Sequence, residues 1–262
     1  MIKNKIQPDL TGNASYLQPL ISLYNEDCRQ TMKRIPDGSV DLMVTDMPYG
    51  VTQNEWDNAP NLAEMWPEWE RIVKPTGAFI FTAQQPFVSD LIITRRGLFR
   101  YDLIWEKGER ATGFLNANKM PLRSHEHILV FYRELPTYNP QFSVGKPTHK
   151  KGKPQKETNN NYGSYEVMQT RDYGDQKFPK SIVCFDRPHP PIHPTQKPVD
   201  LMRYLILTYS NKGDVVFDGY SGSGTTAHAC LVEGRKFVGS ELDKGYYERS
   251  VKRLKCVPTQ LF

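Results

Sequence analysis

Short apolar runs alternate with helix-length segments along this chain, and that alternation constrains the fold more than any other feature. The runs cover residues 20–25, 40–45, 78–83, 101–106, 127–132, 214–218 and 236–241. Segments suited to helices lie between them, at 28–34, 62–73, 86–96, 199–210, 225–234 and 244–254. Strand followed by helix followed by strand predicts an α/β domain, with a mostly parallel seven-stranded sheet and helices on both faces. In such sheets ligands bind beyond the carboxyl ends of the strands, near the point where strand order reverses.

One stretch breaks the rhythm. From Phe142 to Gly163 there is almost no apolar residue, and the polar character continues to about Lys180. Lys146, Lys150, Lys151, Lys153 and Lys156 face a single acid, Glu157, and "TNNNYG" follows. A loop this long inside a domain is either functional or disordered. It divides the chain into an amino-terminal half (1–135), an insert (136–190) and a carboxyl-terminal half (191–262). The net charge of +5 leans toward an anionic partner.

The four cysteines, Cys28, Cys184, Cys230 and Cys256, form no C-x-x-C pair, which argues for a reducing compartment and against a zinc site. Cys184, His189 and His193 are broken up by prolines and are not read as metal ligands. With no apolar leader and no run of 18 apolar residues, a soluble cytoplasmic protein with no membrane partner is expected.

Two stretches carry chemistry. The run at 40–45 ends in "VTDMPYG", residues 44 to 50. Asp46 and Tyr49, with Met47 and Pro48 between them, are an acid and an aromatic where a buried strand needs neither. Alone, the stretch reads better as a turn with a surface tyrosine.

The second stretch, "DVVFDGYSGSGTTAHACLVEGRKFVGSEL" (214–242), is a β-α-β unit with a glycine-rich turn. A phosphate-cradling loop needs G-x-x-x-x-G-K-[ST]. Gly219 and Gly224 have that spacing, but Thr225 stands where the lysine belongs. A dinucleotide turn needs G-x-G-x-x-G/A directly after the strand, and Gly222, Gly224 and Ala227 fit it only loosely. A tight turn without a ligand is a further reading.

S-adenosylmethionine is the remaining one. It has no phosphate and so needs no lysine, while its amine and sulfonium favour an acid such as Asp218. Glycines allow its close approach, and Glu241 can accept from both ribose hydroxyls. Methyl transfer also explains the first stretch. Acceptors on both hydrogens of an exocyclic amine draw its lone pair out of the ring and toward the methyl group. The Asp46 side chain and the Met47 carbonyl are such acceptors, and Tyr49 can stack on the base.

With both stretches in view, the chain resembles the β group of DNA amino-methyltransferases, the N6-adenine and N4-cytosine enzymes. Their D-P-P-Y appears as Asp46-Met47-Pro48-Tyr49, their D-P-F-x-G-S-G-T-T as "DGYSGSGTT", and H-P-T-Q-K-P unchanged from His193 to Pro198. Met47 replaces the first proline of D-P-P-Y, and Gly219 and Tyr220 replace Pro and Phe of the loop. The similarity runs from about residue 20 to residue 255, apart from the polar insert.

The resemblance implies a Rossmann-like methyltransferase fold with circularly permuted motif order, and S-adenosyl-L-methionine as cofactor. It implies that Asp27 and Cys28 contact the cofactor's adenine, and that His193, Thr195 and Lys197 lie beside its methionine end. Asp218, Tyr220, Ser221, Gly222, Ser223, Gly224, Thr225 and Thr226 would close around the cofactor with Glu241 and Leu242, Glu241 on the ribose. Residues 136–190 would read the target in double-stranded DNA, with the five lysines on phosphates.

Family members with Asp at the first motif position mostly modify adenine N6, and those with Ser mostly cytosine N4, so Asp46 points to adenine. Similar enzymes are often dimers and belong to restriction-modification systems, but neither a second copy nor a companion nuclease is legible in the residues. Outside the class, a nicotinamide-dependent oxidoreductase and a basic nucleic-acid-binding module that does not methylate are the alternatives.

His125 and His127 share one face of their run and are expected to be structural, and Trp56, Trp66, Trp69 and Trp105 are expected in the core. "GVTQNEWDN" after Tyr49 is a candidate lid.

Overall fold

A computed structural model describes residues 15–50, 58–109, 111–146, 173–190 and 195–257. All seven expected strands form: β2 (Ile21–Tyr24), β3 (Val40–Thr45), β4 (Val73–Ala83), β5 (Phe99–Glu106), β6 (His125–Tyr132), β10 (Val215–Asp218) and β11 (Lys236–Ser240). Two short strands extend the edges, β1 (Ser15–Gln18) beside β2 and β9 (Ile182–Cys184) beside β5. The sheet order is β1-β2-β11-β10-β3-β4-β6-β5-β9, and β1 and β6 run antiparallel to their neighbours. The helices are α1 (Cys28–Arg34), α2 (Leu62–Ile72), α3 (Phe87–Thr94), α4 (Val199–Tyr209), α5 (Thr225–Glu233) and α6 (Lys244–Lys255).

Alternation along each strand sorts the core into two layers. Leu42, Val44, Ala78 and Ile80 point to the side covered by α4, α5 and α6. Met43, Phe79 and Phe81 point to the side covered by α1, α2 and α3, and Val40 joins them because the pairing of β3 with β4 shifts register between Val40 and Leu42. In α2 the Asn61 side chain caps the first turn through the Ala63 N–H (3.2 Å). Leu62, Met65, Trp66, Trp69 and Ile72 then recur at helical spacing and are buried. Trp66 packs edge-on against Phe79 and Phe81, with ring centroids 5.7 and 5.6 Å away. Trp105 is also buried, while Trp56 lies outside the described residues.

The connectivity creates the place for a site. From β3 the chain proceeds to β4 on one side, and from β10 to β11 on the other, with β3 and β10 paired in parallel at the centre. Loops leaving their carboxyl ends diverge and leave a crevice between them. Among the described residues no helix is long and apolar enough to cross a membrane, and no cluster of three His, Cys, Asp or Glu residues could hold a metal.

Pro140–Lys180 forms a separate compact unit, while residues 181–190 belong with the sheet through β9. Within that unit β7 (Ser143–Val144) pairs antiparallel with β8 (Gln176–Lys177). The rings of Phe142 and Tyr173 each lie 4.9 Å from that of Phe178, an aromatic cluster that ties the two ends of the segment together. Lys146 is exposed there, and Lys150, Lys151, Lys153 and Lys156 lie outside the described residues.

Candidate active site

A cavity of about 970 Å³ opens at the carboxyl ends of β3, β4, β10 and β11. It brings together stretches far apart in sequence: Asp46 to Tyr49, Asp218 to Ser223, Glu241 and Leu242, and Thr195 to Lys197. Asp27, Cys28, Thr225 and Thr226 line it as well, whereas His193 lies outside the described residues.

On the β10 side the chain turns sharply after Asp218. That carboxylate is buried and accepts from Thr45 Oγ1 (2.9 Å), the Tyr220 N–H (3.0 Å) and Thr226 Oγ1 (2.7 Å). Burial pushes its pKa up to about 6, against the pull of those three donors. At Gly219 an added Cβ would lie 2.9 Å from Cys28 Cβ, so glycine lets the turn pack on α1. Gly222 sits at φ +52° with nothing within 4 Å of where a Cβ would point. Its N–H donates to Glu241 Oε2 (2.7 Å), while Glu241 Oε1 accepts from the Asp243 N–H (2.8 Å). Burial raises the Glu241 pKa as well.

The Ser221 hydroxyl is buried with no hydrogen-bond partner among the described residues. Asp27 caps α1 through the Arg29 N–H (2.8 Å) and pairs with the Arg29 guanidinium (2.7 Å). Cys28 is buried beside it, and its thiol is pushed up to about 11 by desolvation. Leu242 stands exposed at the rim.

On the β3 side Asp46 is held from three directions. Its Oδ1 accepts from the Tyr49 hydroxyl and from Thr82 Oγ1 (2.5 Å), and its Oδ2 accepts from Lys197 Nζ (2.5 Å). The Tyr49 ring lies 5.8 Å from that of Phe87, and Lys197 Nζ lies 5.8 Å from the Tyr49 centroid. Lys197, expected only beside the cofactor, is thus bonded to the acid of the other stretch. Behind it stands Glu126, 3.2 Å from Lys197 and 2.7 Å from Lys107. Burial would raise the Glu126 pKa, but the Lys197 and Lys107 ammonium groups outweigh it and hold the carboxyl at about 2.

Thr82, Glu126 and Lys107 do not stand out in the sequence reading. One signal was present: if His125 and His127 face outward on β6, strand alternation turns Glu126 inward. His127 does bond Asp102, Nδ1 to Oδ2 at 3.0 Å, and neither histidine is among the described residues lining the cavity. Of the lid segment, residues 51–57 lie outside the described residues.

Comparison with known proteins adds to this geometry. The DNA adenine methyltransferase YhdJ of Escherichia coli strain K12 is 27% identical over 254 residues, covering 89% of this chain and 82% of that protein. The type II methyltransferase M.BglII of Bacillus subtilis is 28% identical over 277 residues, covering 93% and 71%. Among solved structures, the M1.HpyAVI-SAM complex superposes with a TM-score of 0.60 at 23% identity, covering 89% of this chain and 100% of that one. The cytosine-N4-specific PvuII DNA methyltransferase gives 0.66 at 15%, covering 94% and 90%. These superpositions show a shared fold. The family model described as DNA methylase matches residues 40–252, a span that holds both the Asp46 stretch and the glycine turn. By that match, the chain belongs to the DNA methylase family.

Proposed function

We propose that this DNA methyltransferase moves a methyl group from S-adenosylmethionine to the exocyclic N6 amine of adenine in a specific sequence of double-stranded DNA, with the base flipped out. One observation carries the reading: the acid and glycine turn after β10 and the Asp46-to-Tyr49 stretch after β3 share a single cavity.

The residues suit the cofactor. Gly222 leaves its backbone open, the Ser221 hydroxyl has no partner among the described residues, and two desolvated acids, Asp218 and Glu241, are available to a cation and to ribose hydroxyls. Each Glu241 oxygen already accepts one backbone N–H, which leaves about two of the four acceptor positions of a carboxylate for the ribose. His193, Thr195 and Lys197 are assigned to the methionine end, and Asp27 and Cys28 to the adenine. When bound, the cofactor supplies an electrophilic methyl group on a sulfonium.

The chain's own residues then orient the amine. The Asp46 carboxylate has three donors on it, so about one acceptor position remains, enough for one amine hydrogen. The Met47 carbonyl takes the other, and Pro48 stiffens the turn. Flipping the base costs a few kcal/mol. Stacking on Tyr49, worth roughly 1–3 kcal/mol, offsets much of that. Rate comes from orientation and polarisation of the amine. The product's extra proton leaves to Asp46 or to water.

Asp at position 46 and the likeness to YhdJ, a DNA adenine methyltransferase, support adenine over cytosine. Residues 136–190 are assigned to target reading, with Lys146, Lys150, Lys151, Lys153 and Lys156 on DNA phosphates, and an intracellular DNA substrate places the enzyme in the cytoplasm. The test is transfer of labelled methyl from S-adenosylmethionine into DNA, followed by digestion to nucleosides. N6-methyladenine is expected. Label only in N4-methylcytosine would move the target to cytosine, and no label in any DNA would refute the reading.

A further inference from the structure

We propose that Glu126 is a positioning residue for methyl transfer: together with Lys107 it fixes the Lys197 ammonium against Asp46 and balances its charge. The inference rests on the methyltransferase reading of the same site. Four charges form a line with alternating sign: Asp46, Lys197, Glu126 and Lys107, joined at 2.5, 3.2 and 2.7 Å. The side chains of Lys197, Glu126 and Lys107 keep only 5, 8 and 2% of their surface. Gln84 adds an Nε2 donor to Glu126 Oε1 at 3.0 Å. Groups so deeply desolvated persist as ions only when paired, and here the sum over the four is zero.

That neutrality has a use. Lys197 gives Asp46 one fixed donor, so the acceptor position left for the amine has a fixed direction. A lone ammonium at that position would also oppose the approach of a cationic cofactor. Glu126 removes the opposition without removing the donor. Glu126 lies on β6 and Lys107 directly after β5, both outside the stretches that carry the family resemblance. Among the described residues, the charged and titratable groups facing Lys197 are Asp46, Tyr49 and Glu126, with Lys107 and Arg187 beyond.

Glu126→Gln keeps the shape and removes the charge, which leaves two ammonium groups against the single negative charge of Asp46. The expected result is a fall in kcat of roughly a hundredfold, the loss associated with a misplacement of about 1 Å. The dissociation constant for S-adenosylmethionine should rise as well, since the surplus cation opposes the cofactor, but by far less than kcat falls. One lysine should also lose its proton more readily, so the alkaline limb of the kcat–pH profile should move to lower pH. Adding Lys107→Met deletes the surplus cation, and should return the limb and recover most of kcat.

A merely structural role for Glu126 predicts none of this pH behaviour. Unchanged kcat in Glu126→Gln, loss of cofactor binding in step with kcat, or a double variant no better than the single would overturn the proposal. Should Glu126→Gln fail to fold, Glu126→Asp carries the test: a lowered kcat with the alkaline limb in place supports positioning, and wild-type kcat refutes it. A wild-type chain that methylates no DNA would instead sink the underlying reading, and the positioning role with it.

Discussion

Asp218 is where the fold and the cofactor make opposite demands, and Asp218→Asn separates them. The side chain ends β10 in full burial, with Thr45, Tyr220 and Thr226 donating to it and no cation bonded to it among the described residues. Its pKa, raised from 3.8 to about 6 by desolvation, means that the folded chain holds a proton between those values that the unfolded chain has released. Stability therefore falls as pH rises through that window, by about 3 kcal/mol in total, and the full loss is present above pH ~6. Asparagine has nearly the same shape. Its oxygen can accept from Thr45 and Tyr220, and its NH₂ can donate to the Thr226 hydroxyl, so the bonds survive while the charge goes.

In urea unfolding, the variant should differ little from wild type near pH 4 and be more stable by up to about 3 kcal/mol at pH 7. Calorimetry with S-adenosylmethionine should show the reverse: weaker binding by the variant at pH 7, converging with wild type as the pH falls below Asp218's own titration. Parallel stability–pH curves for the two proteins would refute the argument, since the carboxylate would then ionise in the fold at no cost. Equal cofactor affinity at pH 7 would remove Asp218 from any contact with the cationic end.

Asp46→Ala should lower methyl transfer by orders of magnitude, because the amine loses its acceptor, and should also cost stability and some cofactor affinity, because the buried Lys197 ammonium loses its nearest partner; wild-type turnover would dismiss the role given to residues 46–49. Glu241→Ala should weaken cofactor binding in a calorimetric titration and destabilise the fold by up to about 1–3 kcal/mol through the part-buried Gly222 N–H left unpaired, while the exposed Asp243 N–H turns to water. An unchanged dissociation constant would exclude Glu241 from the ribose. Neutralising Lys150, Lys151 and Lys153 together should weaken DNA binding across sequences and flatten its log–log salt dependence by up to about 0.9 per lost phosphate contact, with cofactor affinity unaffected. An unaltered salt slope would make them a solvated surface only.

Much of this molecule is legible in one dimension because its cause is local. Strand and helix positions follow from runs such as 78–83 and from apolar spacing such as Leu62, Met65, Trp66, Trp69 and Ile72, which residues within a few places of each other decide. The two chemical stretches are contiguous too, so Asp46, Tyr49, Asp218 and Glu241 could be named before any fold was in hand. Strands β1 and β9 escaped because edge strands this short form by pairing with a partner already in place, and their own residues show little pattern.

Tertiary structure alone decided which charges meet. Lys197 lies 151 residues from the carboxylate it bonds, and Thr45 lies 173 from Asp218. Nothing in the spacing of Lys107, Glu126 and Lys197 marks them as partners. They are brought together because β6 runs antiparallel between β4 and β5, which delivers Glu126 and Lys107 to the same edge of the sheet as the end of β3. Burial then does what sequence cannot show. A carboxylate beside two ammonium groups is held near 2, and one with only neutral donors rises toward 6, although both are ordinary acids in the chain.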